Sequence, residues 1–236
     1  RRRPPGRRKE HEDFMWRPAD RQPDEFVAPG QCECSAEYAK PFSLLVIADL
    51  LGVPEEDHEN FRVVLGAERP GSRVGALDHE TVGTNPLEWL DDKFSTYLED
   101  RRREPRDDVL TELAGFMYTD AATPEIIEVV RTATFLFAAG QETTTKLLSA
   151  AMKVLVDRPD IQRKLRQDRS LIPTFIEESL RMESPVKSDF RLVRRSTRVG
   201  DLDLPAGSMV LVLPGAVNRA PRRFANPHEF QLGRPN

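Results

Sequence analysis

Cysteine is scarce in this chain: Cys32 and Cys34 are the only two in 236 residues. Two thiols cannot form a disulfide framework, and their scarcity fits a reducing compartment, so a cytoplasmic location is expected. Nor does a metal site emerge. Such a site needs three or four ligands, and the four histidines, His11, His58, His79 and His228, share no ligand-like spacing. Long apolar runs are missing too. Ala133 to Ala139 falls well short of the ~18 residues that suggest a membrane span, and no basic leader runs into an apolar stretch of the secretory kind. Also absent are a G-x-G-x-x-G turn, a phosphate loop, a nucleophile elbow and any internal repeat. With them go the usual sequence signs of dinucleotide binding, nucleotide hydrolysis and serine hydrolysis.

What is present suffices for a packed protein. At 39% hydrophobic and 31% charged residues, the chain can bury one large core or two modest ones. A net charge of −4 argues against general nucleic-acid binding. Arg1 to Lys9 does carry six basic residues and two prolines, which reads as a solvated tail, with a polyanion-binding arm as the alternative. Residues 1–30 as a whole are expected to be poorly ordered, and residues 31–236 to form the organised part.

Along that part, helices dominate. Ser35 opens one that Gly52 ends, Pro54-Glu55 starts another, and Gly, Pro and Asn make 66–86 a loop. Pro86 to Arg103 reads as a helix with Leu87, Leu90, Phe94, Tyr97 and Leu98 on one side; Asp107–Met117, Pro159–Gln167 and Ser170–Met182 follow. From Phe190 the texture changes. Phe190–Ser196 and Met209–Leu213 are strand-like, with turn residues at Gly200-Asp201 and Pro205-Ala206-Gly207. The expected class is mainly α with a small β portion.

The most informative segment lies between the short helices. Thr123-Pro124-Glu125 supplies a helix start, Asp157-Arg158-Pro159 a stop, and the residues between them are apolar on almost every face, which predicts a buried helix. Its length is ~50 Å at ~1.5 Å per residue. Midway lie Gly140, Glu142 and three consecutive threonines, all poor choices for a helix interior. Threonine hydroxyls can bond back to the carbonyl a turn earlier, and glycine admits a close neighbour, so a distorted turn is expected. A polar turn on a kinked core helix is the plainer reading, and a chemical site is the sharper one.

A second pattern is Glu178-Ser179-Leu180-Arg181, a carboxylate and a guanidinium three residues apart on one helix face. Exposed, such a pair contributes little; buried, an arginine fork can hold the carboxylate and still reach a third group. The order of motifs then carries more than any one of them. Ala139-Gly140-Gln141-Glu142-Thr143-Thr144, then Glu178 and Arg181, then Phe190-Arg191-Leu192, then Asn218-Arg219, Pro227-His228-Glu229-Phe230 and Gly233-Arg234-Pro235-Asn236, resembles the cytochrome P450 haem-thiolate monooxygenases, particularly soluble bacterial members. The resemblance is best over 133–236 and fair back to Ser35.

That resemblance implies a partial cytochrome P450 fold and haem b as the cofactor. The long helix would cross one face of the haem, with Ala139 and Gly140 leaving room for dioxygen and substrate. Glu142 and Thr143 would relay protons to the reduced oxygen. Glu178, Arg181 and Arg234 would form the buried ion-pair triad, Arg191 would reach a haem propionate, and Ala138 and Val186 would line the substrate pocket. A ferredoxin-like donor with its reductase would bring electrons, and a lipophilic small molecule would be hydroxylated. The family's axial cysteine lies in a glycine-rich loop shortly after the Arg-Pro-Asn position. Here Arg234-Pro235-Asn236 close the sequence, and Cys32 and Cys34 have no such loop around them. The family's N-terminal sheet and early helices lack counterparts as well. A truncated, non-catalytic remnant or a helical interaction protein without haem is therefore the second reading.

Overall fold

The computed structural model describes residues 5–28, 30–66, 86–118 and 122–234. They fall into two compact units, one ending at Thr145 and the other running from Lys146.

In the first unit, α1 (Pro5–Arg21) and α2 (Asp24–Val27) precede a π-helical turn, Cys34–Ala39, which leads into α3 (Lys40–Leu51). Residues 5–21 are thus helical where a poorly ordered tail was expected. Phe14 is the reason: it is buried and meets the His58 ring edge-on at 5.6 Å. Two buried positions, Phe14 and Pro18, in a charged helix leave little periodicity for a sequence reading to find. Gly52 caps α3 with φ 97°, a left-handed conformation that glycine adopts without strain. A 3₁₀ turn, Glu55–Asp57, then gives way to α4 (His58–Gly66). Of the expected loop 66–86, residues 67–85 lie outside the described residues.

Next come α5 (Pro86–Arg103), α6 (Val109–Ala114) and α7 (Ile126–Asp157), the last continuing into the second unit. Buried Leu90, Phe94, Tyr97, Leu98 and Arg101 recur every three or four positions on α5, so one stripe faces inward. Phe61 of α4, Phe94 of α5 and Phe137 of α7 centre the core, with Phe61 and Phe137 rings 5.4 Å apart.

Against expectation, α7 is not buried all round. Its buried stripe is Val129, Val130, Ala133, Thr134 and Phe137, whereas Phe135 on the other side is 69% exposed. Apolar composition sets what a helix can bury, but only its neighbours decide which face is covered. The helix also starts at Ile126, after Pro124 rather than at it.

The second unit holds the end of α7, then α8 (Pro159–Gln167), a 3₁₀ turn Arg169–Leu171, and α9 (Ile172–Glu183). Ala151, Ile161 and Phe175 form its small core, with Phe230 and Leu232 packed against it. Of the expected strand Phe190–Ser196 only the start is strand, and a further hairpin follows it. β1 (Asp189–Leu192) pairs antiparallel with β4 (Met209–Val212), while β2 (Thr197–Val199) pairs with β3 (Leu202–Leu204) across a turn at Gly200, φ 59°. A short α10 (Pro214–Val217) follows, and the rest is loop held by side chains.

Candidate functional site

The polar turn of α7 is built as its residue types suggest. Thr143 Oγ1 donates to the Ala139 carbonyl at 2.8 Å and Thr145 Oγ1 to the Gln141 carbonyl at 2.9 Å. Each hydroxyl thus spends its proton one turn back, which satisfies it inside a helix. Ala138, Ala139 and Thr143 are half-buried and Glu142 is exposed on the same stretch. The helix is continuous through the turn.

Gly140 is approached closely from α3. A Cβ there would stand 2.7 Å from Ile47 Cδ1 of α3, closer than carbon atoms approach. Its missing side chain lets Ile47 of α3 pack against α7. Gly140→Ala should therefore destabilise the chain by about 1 kcal/mol, overpacking outweighing the gain from removing a helical glycine. Ile47→Val removes the offending methyl and should restore most of that loss in the double variant. Urea unfolding followed by tryptophan fluorescence measures it; an additive double variant would contradict the contact.

Glu178, Arg181 and Arg234 do come together. Arg181 grips Glu178 with Nε and Nη2, each at 2.8 Å, and Arg234 Nε donates to both carboxylate oxygens at 3.1 Å. The Gln231 backbone N–H adds a further bond at 2.9 Å. Arg181 then reaches the carbonyls of Asn218, Pro227 and Glu229 at 2.9, 2.8 and 3.1 Å, and Arg234 Nη2 shares the Glu229 carbonyl at 2.8 Å. One carboxylate, buried on α9, thereby organises the loop 218–234, and the Arg181 guanidinium lies over the Phe224 ring at 5.2 Å. Burial pushes the Glu178 carboxyl up, but the bonds from Arg181, the Gln231 N–H and Arg234 outweigh it and hold the group below its ordinary value.

Arg191 stands apart from that cluster. It is exposed on β1, paired with Asp189 and donating to the Phe190 carbonyl at 3.0 Å. Val186 is exposed as well. Two features escaped the sequence reading. Ser184 ends α9 at φ 38°, its hydroxyl accepting from Asn218 Nδ2 at 2.9 Å. In the first unit, buried Arg101 donates to Asp108 at 2.7 Å and to the Gly52 carbonyl at 2.9 Å. The Arg101–Asp108 spacing of seven on either side of Glu104-Pro105 gives no periodic signal.

The residues present do not make a complete haem site. Among the described residues no group of three or more His, Cys, Asp and Glu could hold a metal ion. Cys34 lies in the π-helical turn before α3, where burial, then the Cys32 and Glu33 charges, push its thiol up.

Comparison with known proteins gives a consistent picture. The family model described as Cytochrome P450 matches residues 87–236. Cytochrome P450 144 of Mycobacterium tuberculosis is 33% identical over 94% of this chain and 51% of its own length. Among solved structures, substrate-free CYP150A6 of Mycobacterium marinum is 66% identical with a TM-score of 0.84, covering 99% of this chain and 53% of that one. CYP109E1 of Bacillus megaterium, in complex with corticosterone, is 26% identical with a TM-score of 0.81, covering 98% and 62%. The chain spans about half the length of the curated relatives it matches.

Proposed function

The chain belongs to the cytochrome P450 family, and from that premise we propose that its residues supply one wall and the buried ion cluster of a haem-dependent monooxygenase. Members of the family are haem b monooxygenases, in which the haem supplies reductive activation of dioxygen. The observation that carries the reading is the α7 turn, where two small residues, a carboxylate and a hydroxyl fall within Ala139–Thr143 of a largely apolar helix. Ala139 keeps that wall low. Thr143, once its hydroxyl turns from the Ala139 carbonyl, and Glu142 beside it offer exchangeable protons there. Ala138 and Val186 are the substrate-facing residues in this reading, and Arg191 is the clamp for a carboxylate once it leaves Asp189. The substrate is a lipophilic small molecule, consistent with the corticosterone bound by the Bacillus megaterium relative. Electrons come from a ferredoxin-like donor and its reductase in the cytoplasm. No step through iron is assigned to these residues.

The alternative is a helical protein that binds no haem. Haem titration separates the two. The polypeptide encoded by the complete reading frame around these residues should take up haem and, reduced under carbon monoxide, show the red-shifted band of a thiolate ligand. The 236-residue chain should not. In the longer protein, Thr143→Ala should raise the share of electrons lost as peroxide several-fold with little change in substrate binding. A longer protein without the band, or with unchanged coupling, refutes the corresponding assignment.

A further inference from the structure

Away from α7 and the Glu178 cluster, the chain's only cysteines stand together at the entrance to the π-helical turn before α3, and both are free thiols. Cys32 is exposed and Cys34 half-buried. Glu33 between them is extended, with φ −84° and ψ 97°, so the two side chains leave the backbone on one side. Across a residue in that conformation the flanking Cα atoms are about 6 Å apart, inside the span over which two cysteines can be joined. They are close enough to interact: the Cys32 charge acts on the Cys34 thiol.

Cys32 also lines an open hollow of 580 Å³ together with Glu25, Phe26, Gln31, Glu33 and Glu37. Among the described residues no basic side chain lines it, so its field favours a cation. The carboxylates, however, are already engaged. Glu33 accepts from the Ser35 and Ala36 N–H groups, Glu37 accepts from the Glu33 N–H at 2.8 Å, and Glu25 pairs with Arg62 at 3.5 Å. A calcium or magnesium ion needs several free oxygens and zinc needs three or four ligands, and among the described residues no group of three or more candidate ligands occurs. Two sulfurs with no third ligand suit another class, the soft monovalent ions that thiolates select and that accept two donors in line. We propose that Cys32 and Cys34 form a two-coordinate site for a monovalent thiophilic cation such as Cu(I). Each ion displaces the two thiol protons to solvent, and nothing is oxidised or reduced. This site is independent of haem and of the monooxygenase reading.

The test is an anaerobic titration of the 236-residue chain with Cu(I) buffered by bicinchoninate. One equivalent should bind and stay bound against millimolar glutathione, and X-ray absorption at the copper edge should show two sulfur neighbours and no third ligand. Cys32→Ser and Cys34→Ser should each weaken binding by about a hundredfold or more, because one thiolate is then missing. Zn(II) should not compete. Loss of the copper to glutathione, affinity unchanged in Cys32→Ser, equal binding of Zn(II), or a third neighbour at the copper overturns the proposal. Cys32 is exposed, so its substitution removes a ligand without disturbing packed residues, and that variant decides even if Cys34→Ser folds poorly.

Discussion

Glu178→Ala is expected to cost the second unit about 3–5 kcal/mol, the penalty for removing one partner of a buried ion pair. The penalty is large because two guanidinium groups share this carboxylate and neither can reach water to compensate: the Arg181 and Arg234 side chains are 7% exposed. Their other bonds run to backbone carbonyls, which neutralise no charge. A core of three buried residues leaves little reserve, so the loop 218–234 should detach and α9 fray. Both tryptophans, Trp16 and Trp89, lie in the first unit, so hydrogen exchange at α9 amides is the informative measurement. Protection of α9 equal to that of the unmodified chain would refute the assignment.

The same carboxylate sets an acid limit. Its pKa in the folded chain lies below the ordinary 4.5, so the folded state binds this proton less readily than the unfolded one. The stability it confers is fully present above about 4.5 and is lost as pH falls through the lower, folded value. The difference in stability between the unmodified chain and Glu178→Gln should accordingly shrink as the solution is acidified below that point. A difference independent of pH would mean that shape, rather than charge, holds the cluster.

How much of this was legible beforehand varies by element. The helices Pro86–Arg103 and Pro159–Gln167 have the bounds that their prolines and periodicity suggest. The i, i+3 pair Glu178–Arg181 and its third partner Arg234 followed from motif order, because distant residues meet only in a fold already recognised. Burial was the weak point. The sequence of α7 is apolar on most sides, and nothing local says that Val130 is inside while Phe135 is out. At Gly140, likewise, a glycine announces that something approaches, and the sequence does not name Ile47 as that neighbour. The hairpin β2–β3 was missed because its strands are three residues each, too short for alternation to register, although Val199, Leu202 and Leu204 share one face.

The second large effect is expected in the first unit, where Asp108→Ala should cost about 4 kcal/mol. Two losses combine. Arg101, whose side chain is 2% exposed, loses its 2.7 Å partner and keeps only the partly exposed Asp100 at 3.0 Å as a counter-charge, most of a buried-pair penalty. Asp108 Oδ1 also accepts the Thr111 N–H at 2.7 Å, capping α6, a bond worth about 1 kcal/mol. Gly52 completes the lock, since a Cβ there would fall 2.4 Å from Asp108 Cβ, and Gly52→Ala should reproduce part of the loss. Asp108→Asn keeps a capping oxygen and should be intermediate. Trp89, 4.8 Å from Phe61 in the same core, reports unfolding in urea. The consequence reaches the α7 turn through α3. Arg101 ties the end of α3 at Gly52 to α5, and α3 carries the Ile47 that packs on Gly140, three residues before Thr143. If Asp108→Ala costs less than about 1 kcal/mol, the range of a surface pair, this cluster does not frame the turn.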